Sequence, residues 1–252
     1  LCLGLSSVAI ILRVWTRFFI MKAHGWDDYT MILAWLCFIP YTGICLEAMK
    51  YGSWKHQWDV TMSDMFVFLK LANVMEVFYN PTIFVTKLSI LLQYERLFCP
   101  HRAGWTHLVI WALIIFNLLF YIAVMIPQVL ACNPREKIWH PYIEGTCLDL
   151  AAILISGAVV NVISDFAILI LPLFKVWRLQ LSASKKLGVS AIFATGLFAC
   201  LSSIFRMVNN VRFAHTQDVT WNLSPVALWT MAEITSGIIC GCMPAVPLFF
   251  KH

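Results

Sequence analysis

Charge is scarce in this chain, and so are the motifs that soluble chemistry needs. Charged residues fill 12% of the 252 positions, about half the share of a soluble domain. No glycine- or proline-rich linker interrupts the chain, and no apolar run alternates strictly with period two. Open sheets with unpaired edges cannot cross lipid in any case. The last apolar run, residues 225–250, has no lysine, so a retinal Schiff base has no anchor there. The seven histidines, at 24, 56, 101, 107, 140, 215 and 252, stand in loops or at run edges. That leaves no buried cluster for a zinc hydrolase. No nucleotide-binding loop, Ser-His-Asp set or CxxC pair is present, and Cys240-Gly241-Cys242 lacks His or Cys companions. These absences exclude most enzyme readings, and neither a cofactor nor a metal site is expected.

What is present is apolar length. Hydrophobic residues make up 61% of the chain, and the mean hydropathy is +0.79. A bilayer core about 30 Å thick asks for about 20 apolar residues per helix. The spacing predicts helices over 1–12, 29–50, 65–95, 106–131, 150–174, 189–211 and 225–250. They fill the length as one all-α, seven-transmembrane helix bundle over residues 1–252. The first run is too short to span, and the chain lacks an initiator Met, so the first helix is expected to be truncated. A signal peptide would carry its basic residues first, whereas Arg13, Arg17 and Lys22 follow this run.

Basic residues set the orientation. One set of connections holds Arg13, Arg17, Lys22, Arg96, Arg102, Lys175, Arg178, Lys185, Lys186 and Lys251. The other holds fewer, Lys50, Lys55, Arg135, Lys137 and Arg212, among more numerous acidic residues. The first set is expected to be cytoplasmic, with the N-terminus outside and the C-terminus inside. Trp26, Trp54, Trp58, Trp105, Trp139, Trp177 and Trp221 fall near helix ends, as an aromatic belt would. A ligand platform is the less favoured reading. Cys132 and Cys147 share one outer loop, and a disulfide between them would fold that loop over the bundle mouth. Cys37, Cys45, Cys200, Cys240 and Cys242 read as small apolar packers.

The ionisable residues inside the runs are the candidates for function: Lys70, Glu76, Lys87, Asp165, Arg206 and Glu233. Each costs a few kcal/mol in lipid unless it faces a partner, by roughly 2.5–3.5 kcal/mol on insertion scales. Lys70, Asn73, Glu76, Asn80, Lys87 and Tyr94 draw one stripe along the third helix. Asn161 and Asp165 share a face of the fifth, and Ser202, Arg206 and Asn209 a face of the sixth. Thr230, Glu233 and Ser236 share a face of the seventh, beside Trp229. Depth at 1.5 Å per residue puts Lys87 roughly 13 Å and Asp165 roughly 15 Å from the inner end, so they can meet. The same arithmetic groups Arg206, Glu233 and Glu76 in a separate outer layer. Packing alone is the plainer account of either layer; a ligand pocket of Glu76, Arg206, Trp229 and Glu233 is the sharper one. Asn80-Pro81 lies mid-way along the third helix, as a shape feature rather than a hinge.

A specific set of motifs accompanies this pattern. Gly25-Trp26-Asp27-Asp28-Tyr29 opens the second helix. Lys87-Leu88-Ser89-Ile90-Leu91 leads to Tyr94-Glu95-Arg96-Leu97-Phe98. Cys132-Asn133-Pro134, Trp139 and Cys147 fill the outer loop. Asn161 to Asp165, Leu171-Pro172, Lys185-Lys186, Gly196, Arg206, Trp229, Glu233 and Pro244 follow. Together these resemble the fungal rhodopsin-domain family of seven-helix, receptor-like integral membrane proteins. The resemblance implies a plasma-membrane surface or nutrient sensor that works without retinal. It further implies a small outer ligand, membrane lipid as solvent, and a cytoplasmic signalling protein as partner, with no nucleic acid. Glu95, Arg96, Lys175, Arg178, Lys185 and Lys186 would meet that partner, with anionic lipid as the alternative for the basic loops, especially Lys175 to Lys186. Glu95-Arg96 is similar to the acidic–Arg pair of rhodopsin-like receptors, but Tyr94 precedes it, and a simple interfacial charge pair is the plainer reading. A transporter or channel using the buried charges as a relay is the alternative, and a structural membrane component the third.

Overall fold

The computed structural model describes residues 1–22, 24–99, 104–140, 142–176, 183–216 and 218–246, with only the backbone described at 174–176, 183–189 and 191. Seven α-helices run through the described residues: α1 Cys2–Val14, α2 Trp26–Ala48, α3 Met62–Phe98, α4 Trp105–Val129, α5 Leu150–Val176, α6 Ala183–Ala214 and α7 Val219–Cys242. A two-stranded ribbon, β1 Cys132–Asn133 with β2 Thr146–Cys147, lies between α4 and α5.

α1 continues through a π-helical turn, Trp15–Ile20, and the combined Cys2–Ile20 segment reaches spanning length at 19 residues. The expected stop at residue 12 is therefore corrected. Apolar counting ends at Arg13, but Arg13 and Arg17 turn inward and are buried, so the helix carries on. These two arginines belong to a helix, not to a connecting loop. α7 likewise begins before Pro225 rather than at it.

Six helices are long and apolar enough to cross a bilayer. α3 is the exception by composition, because its 37 residues carry Lys70, Glu76 and Lys87. At 1.5 Å per residue it is about 55 Å long. It runs through Pro81 unbroken and touches α2, α4, α5 and α7, which makes it the axis of the bundle. α7 packs on α1, α2, α3 and α6.

Apolar residues face outward as well as inward, and small hydroxyl residues share the interior with an apolar core. Leu119, Ile163 and Phe198 point outward and are exposed, while Ser6, Thr16, Thr82, Ser89, Ser202 and Ser203 are wholly or almost wholly buried. Lipid accepts apolar faces at no cost, so small hydroxyl residues that let helices approach take the inside. Gly241 shows how close that approach is: a Cβ there would lie 2.1 Å from Cε of Met31 on α2.

At one end, the disulfide end, Cys132 and Cys147 are paired in register and bonded. The loop they close lies over α3, with His140 4.5 Å from Phe66 and the Trp139 ring 5.7 Å from Nζ of Lys70. Lys70 is exposed there and is not part of the buried set. The α2–α3 loop docks on the start of α7. His56 Nδ1 lies 2.6 Å from Asp218 Oδ2, and the Gln57 amide donates to Asp218 Oδ1 at 3.0 Å. The His56 ring is stacked between Trp58 and Trp221, each 4.6 Å away. These tryptophans, expected as belt residues, therefore also hold a loop in place.

Candidate functional site: a charged network at the centre of the bundle

Seven side chains take part, two from α3, two from α5 and one each from α4, α6 and α7. Nζ of Lys87 on α3 lies 2.8 Å from Oδ1 of Asp165 on α5 and donates to Oδ1 of Asn161 at 2.9 Å. Tyr121 on α4 donates to the same Asn161 oxygen at 2.6 Å. Asn161 Nδ2 in turn donates to Oε1 of Glu233 on α7 at 2.6 Å. Arg206 on α6 closes the chain: Nε lies 2.8 Å from Glu233 Oε2, and Nη2 donates to the Tyr79 hydroxyl at 2.7 Å. Tyr79 donates onward to Glu233 Oε1 at 3.1 Å, and its ring lies 4.4 Å from the Arg206 guanidinium.

Lys87, Arg206 and Glu233 are each no more than 4% exposed. Two cations contact two carboxylates, so the directly paired charges balance. That balance, with every charge also hydrogen-bonded, is what makes ionised groups tolerable in a low dielectric.

The expected pairs Lys87–Asp165 and Arg206–Glu233 both form. The expected separation into two layers is corrected: Asn161 joins them into one network. Glu76 makes no ion pair with Arg206 among the described residues; it lines a small cavity beside it. Trp229 stands apart, stacked on Phe205 at 4.6 Å. Tyr79 and Tyr121 were missed, because a buried tyrosine looks like packing until its hydroxyl has an address.

Two cavities flank the network. The one toward the disulfide end is about 20 Å³ and is lined by Glu76, Asn80, Gln128, Asn161 and Arg206, with α4 and α5 completing its wall. The one toward the opposite end is about 40 Å³ and lies among Lys87, Tyr94, Asp165, Cys200 and Gly237. Each has room for about one to four waters. Of the expected pocket residues, Glu76 and Arg206 line the cavity toward the disulfide end, Glu233 lines the other, and Trp229 lines neither.

A second cluster sits at the end opposite the disulfide, the basic end. Asp27 and Asp28 open α2, and Asp28 Oδ2 accepts the Gly25 amide at 3.0 Å. Arg13 bridges both carboxylates, each at 2.8 Å. It also donates to Gln93 Oε1 at 3.2 Å and to the carbonyl of Gly241. One α1 side chain thereby ties α2, α3 and α7. Arg96 reaches the same aspartates, at 3.1 and 3.5 Å. It does not pair with Glu95, which turns to His107 and Trp111 of α4, each 3.0 Å away. Arg178 lies outside the described residues, and Lys175, Lys185 and Lys186 fall on helix segments whose side chains are not described.

A helical bundle with an apolar exterior and an ion-paired core is the architecture of a polytopic integral membrane protein. The chain belongs to the fungal rhodopsin domain family, which it matches over residues 12–252. It is 43% identical to a SAT4 family membrane protein of Emericella nidulans over 92% of this chain and 56% of that one. It is 29% identical to Fugralins biosynthesis cluster protein 2 of Gibberella zeae, over 100% of this chain and 64% of that one. It is 26% identical to Receptor GIN3 of Arthrobotrys oligospora, over 98% of this chain and 60% of that one. The chain thus spans somewhat over half the length of these relatives. No solved structure matches it.

Proposed function

We propose that the protein is a receptor-like sensor of the plasma membrane, in which a small ligand arriving from the disulfide end shifts the helices toward a cytoplasmic partner. The observation that carries this reading is the single charge-paired network joining α3, α4, α5, α6 and α7 at mid-bundle. Such a network has discrete arrangements rather than a continuum. A ligand that supplies a new partner for Arg206 or Glu233 redistributes the helices by its difference in affinity between them. Glu76, with no ion-pair partner among the described residues, lines the small cavity on the approach side. The relative named Receptor GIN3 supports the reading at family level.

The water-sized cavities on both sides of the network favour one rival, a transporter that uses the charges as a relay. The test is a ligand screen on the full-length protein, read by thermal shift in detergent and followed by hydrogen exchange. A receptor shows a stabilising ligand whose effect is lost in Arg206→Gln, with altered exchange at the basic end of α6 and no substrate flux. Flux across vesicles that disappears in Glu233→Gln would overturn the receptor reading in favour of transport.

A further inference from the structure

We infer that the basic end of the bundle carries a second, separate site, built on Arg17, for a phosphate-type anion. Arg13, Arg17 and Arg96 gather around Asp27 and Asp28, three guanidiniums against two carboxylates. Arg13 and Arg96 take up the carboxylate oxygens, and Asp28 is further engaged by the Gly25 amide. Arg17 is left over. It is only loosely paired with Asp28 Oδ1 at 3.9 Å, beyond hydrogen-bond reach, and its buried Nε has no acceptor among the described residues. The residue is only 6% exposed, so bulk water does not solvate it freely.

A second orphan donor belongs to the same cluster. Gln93 spends its oxygen on Arg13, and its buried Nε2 has no partner among the described residues. Buried donors without acceptors are destabilising, the more so when charged. A water would satisfy the hydrogen bonds but leave the excess positive charge. An anion satisfies both.

The backbone is built for this. The π-helical turn Trp15–Ile20 directs Thr16 and Arg17 inward while Trp15 and Phe19 stand exposed, stacked 4.9 Å apart. An exposed aromatic pair next to a buried arginine fits the headgroup level of a bilayer, where amphipathic rings settle. The guanidinium fork matches two oxygens of a phosphate. Headgroup phosphates are the anions most available at that depth, and inorganic phosphate presents the same chemistry from solution.

The test uses the full chain in neutral detergent and follows thermal unfolding. Phosphatidylglycerol in mixed micelles, phosphatidylcholine and inorganic phosphate are titrated separately. Phosphatidylglycerol is expected to raise the unfolding temperature by about 3 °C or more. Arg17→Gln should lose that rise, while Lys22→Gln, one turn further on and exposed, should keep it. A rise with inorganic phosphate alone, equally lost in Arg17→Gln, would assign the soluble anion as the source. If Arg17→Gln does not fold, Arg17→Lys carries the test by native mass spectrometry of retained phosphatidylglycerol. It keeps the charge but not the fork and should bind about tenfold more weakly. The inference fails if neither anion stabilises the protein, if phosphatidylcholine acts equally, or if the Arg17 variants respond as the parent does. None of these results bears on the ligand reading above, which concerns different residues.

Discussion

Glu233 is the residue on which most of the central network turns. Its two oxygens serve Arg206, Tyr79 and Asn161. Glu233→Gln leaves the Arg206 guanidinium buried without a counter-charge, and we expect a loss of about 3–5 kcal/mol, measured as denaturant unfolding in detergent. Arg206→Leu combined with Glu233→Leu should recover at least half of it, since no orphaned charge remains. At the other side, Lys87→Asp is expected to unfold the protein under conditions where the swap Lys87→Asp with Asp165→Lys stays folded. Failure of the swap to rescue would mean that geometry around Asn161, not charge, holds that pair. Depth arithmetic made Lys87–Asp165 legible in the sequence. Tyr79 and Tyr121 were not, because a hydroxyl carries no burial cost large enough to announce itself. Arg13 was misplaced because its partners, Asp27 and Asp28, lie across a turn whose path hydropathy does not encode.

At the scale of elements, loops here are docked rather than merely connecting. The α2–α3 loop is pinned to α7 by Asp218. Burial pushes this carboxyl's pKa up, but the His56 ring and the Gln57 and Trp221 amides outweigh that and hold it below the usual value. A carboxylate with a lowered folded pKa stabilises above its unfolded pKa, about 3.9, and loses that contribution as the pH falls through the folded value. Protection of residues 50–60 from proteolysis should therefore weaken below about pH 4. Asp218→Asn should show the weakened protection already at neutral pH, with no further change in that range. The disulfide loop makes a similar prediction. Replacing Cys132 and Cys147 by Ser releases a loop of 15 positions and should cost about 3 kcal/mol. Cleavage near Glu136 by an added protease checks it; unchanged resistance would mean that the Phe66–His140 and Lys70–Trp139 contacts hold the loop alone.

The molecule as a whole is solvated by lipid around its sides, and its orientation is the remaining large-scale question. The bias of basic residues predicts the disulfide end outside and the Asp27–Arg96 end in the cytoplasm. A cysteine placed at Glu136 should react with an impermeant maleimide on intact cells, and one placed at Lys22 only after permeabilisation. The opposite pattern would invert every statement about ligand side and partner side. The number of helices, their order and most of the inward stripes, Lys70 excepted, were determined by the sequence alone. Apolar length and the cost of charge in hydrocarbon are local quantities, summed residue by residue along the chain. Tertiary structure alone decided that Asn161 fuses two expected charge layers, that Glu76 and Trp229 stay outside the network, and that Arg13 locks three helices. Those outcomes depend on the rotation and tilt of each helix about its own axis, which packing between neighbours sets and no single run of residues contains.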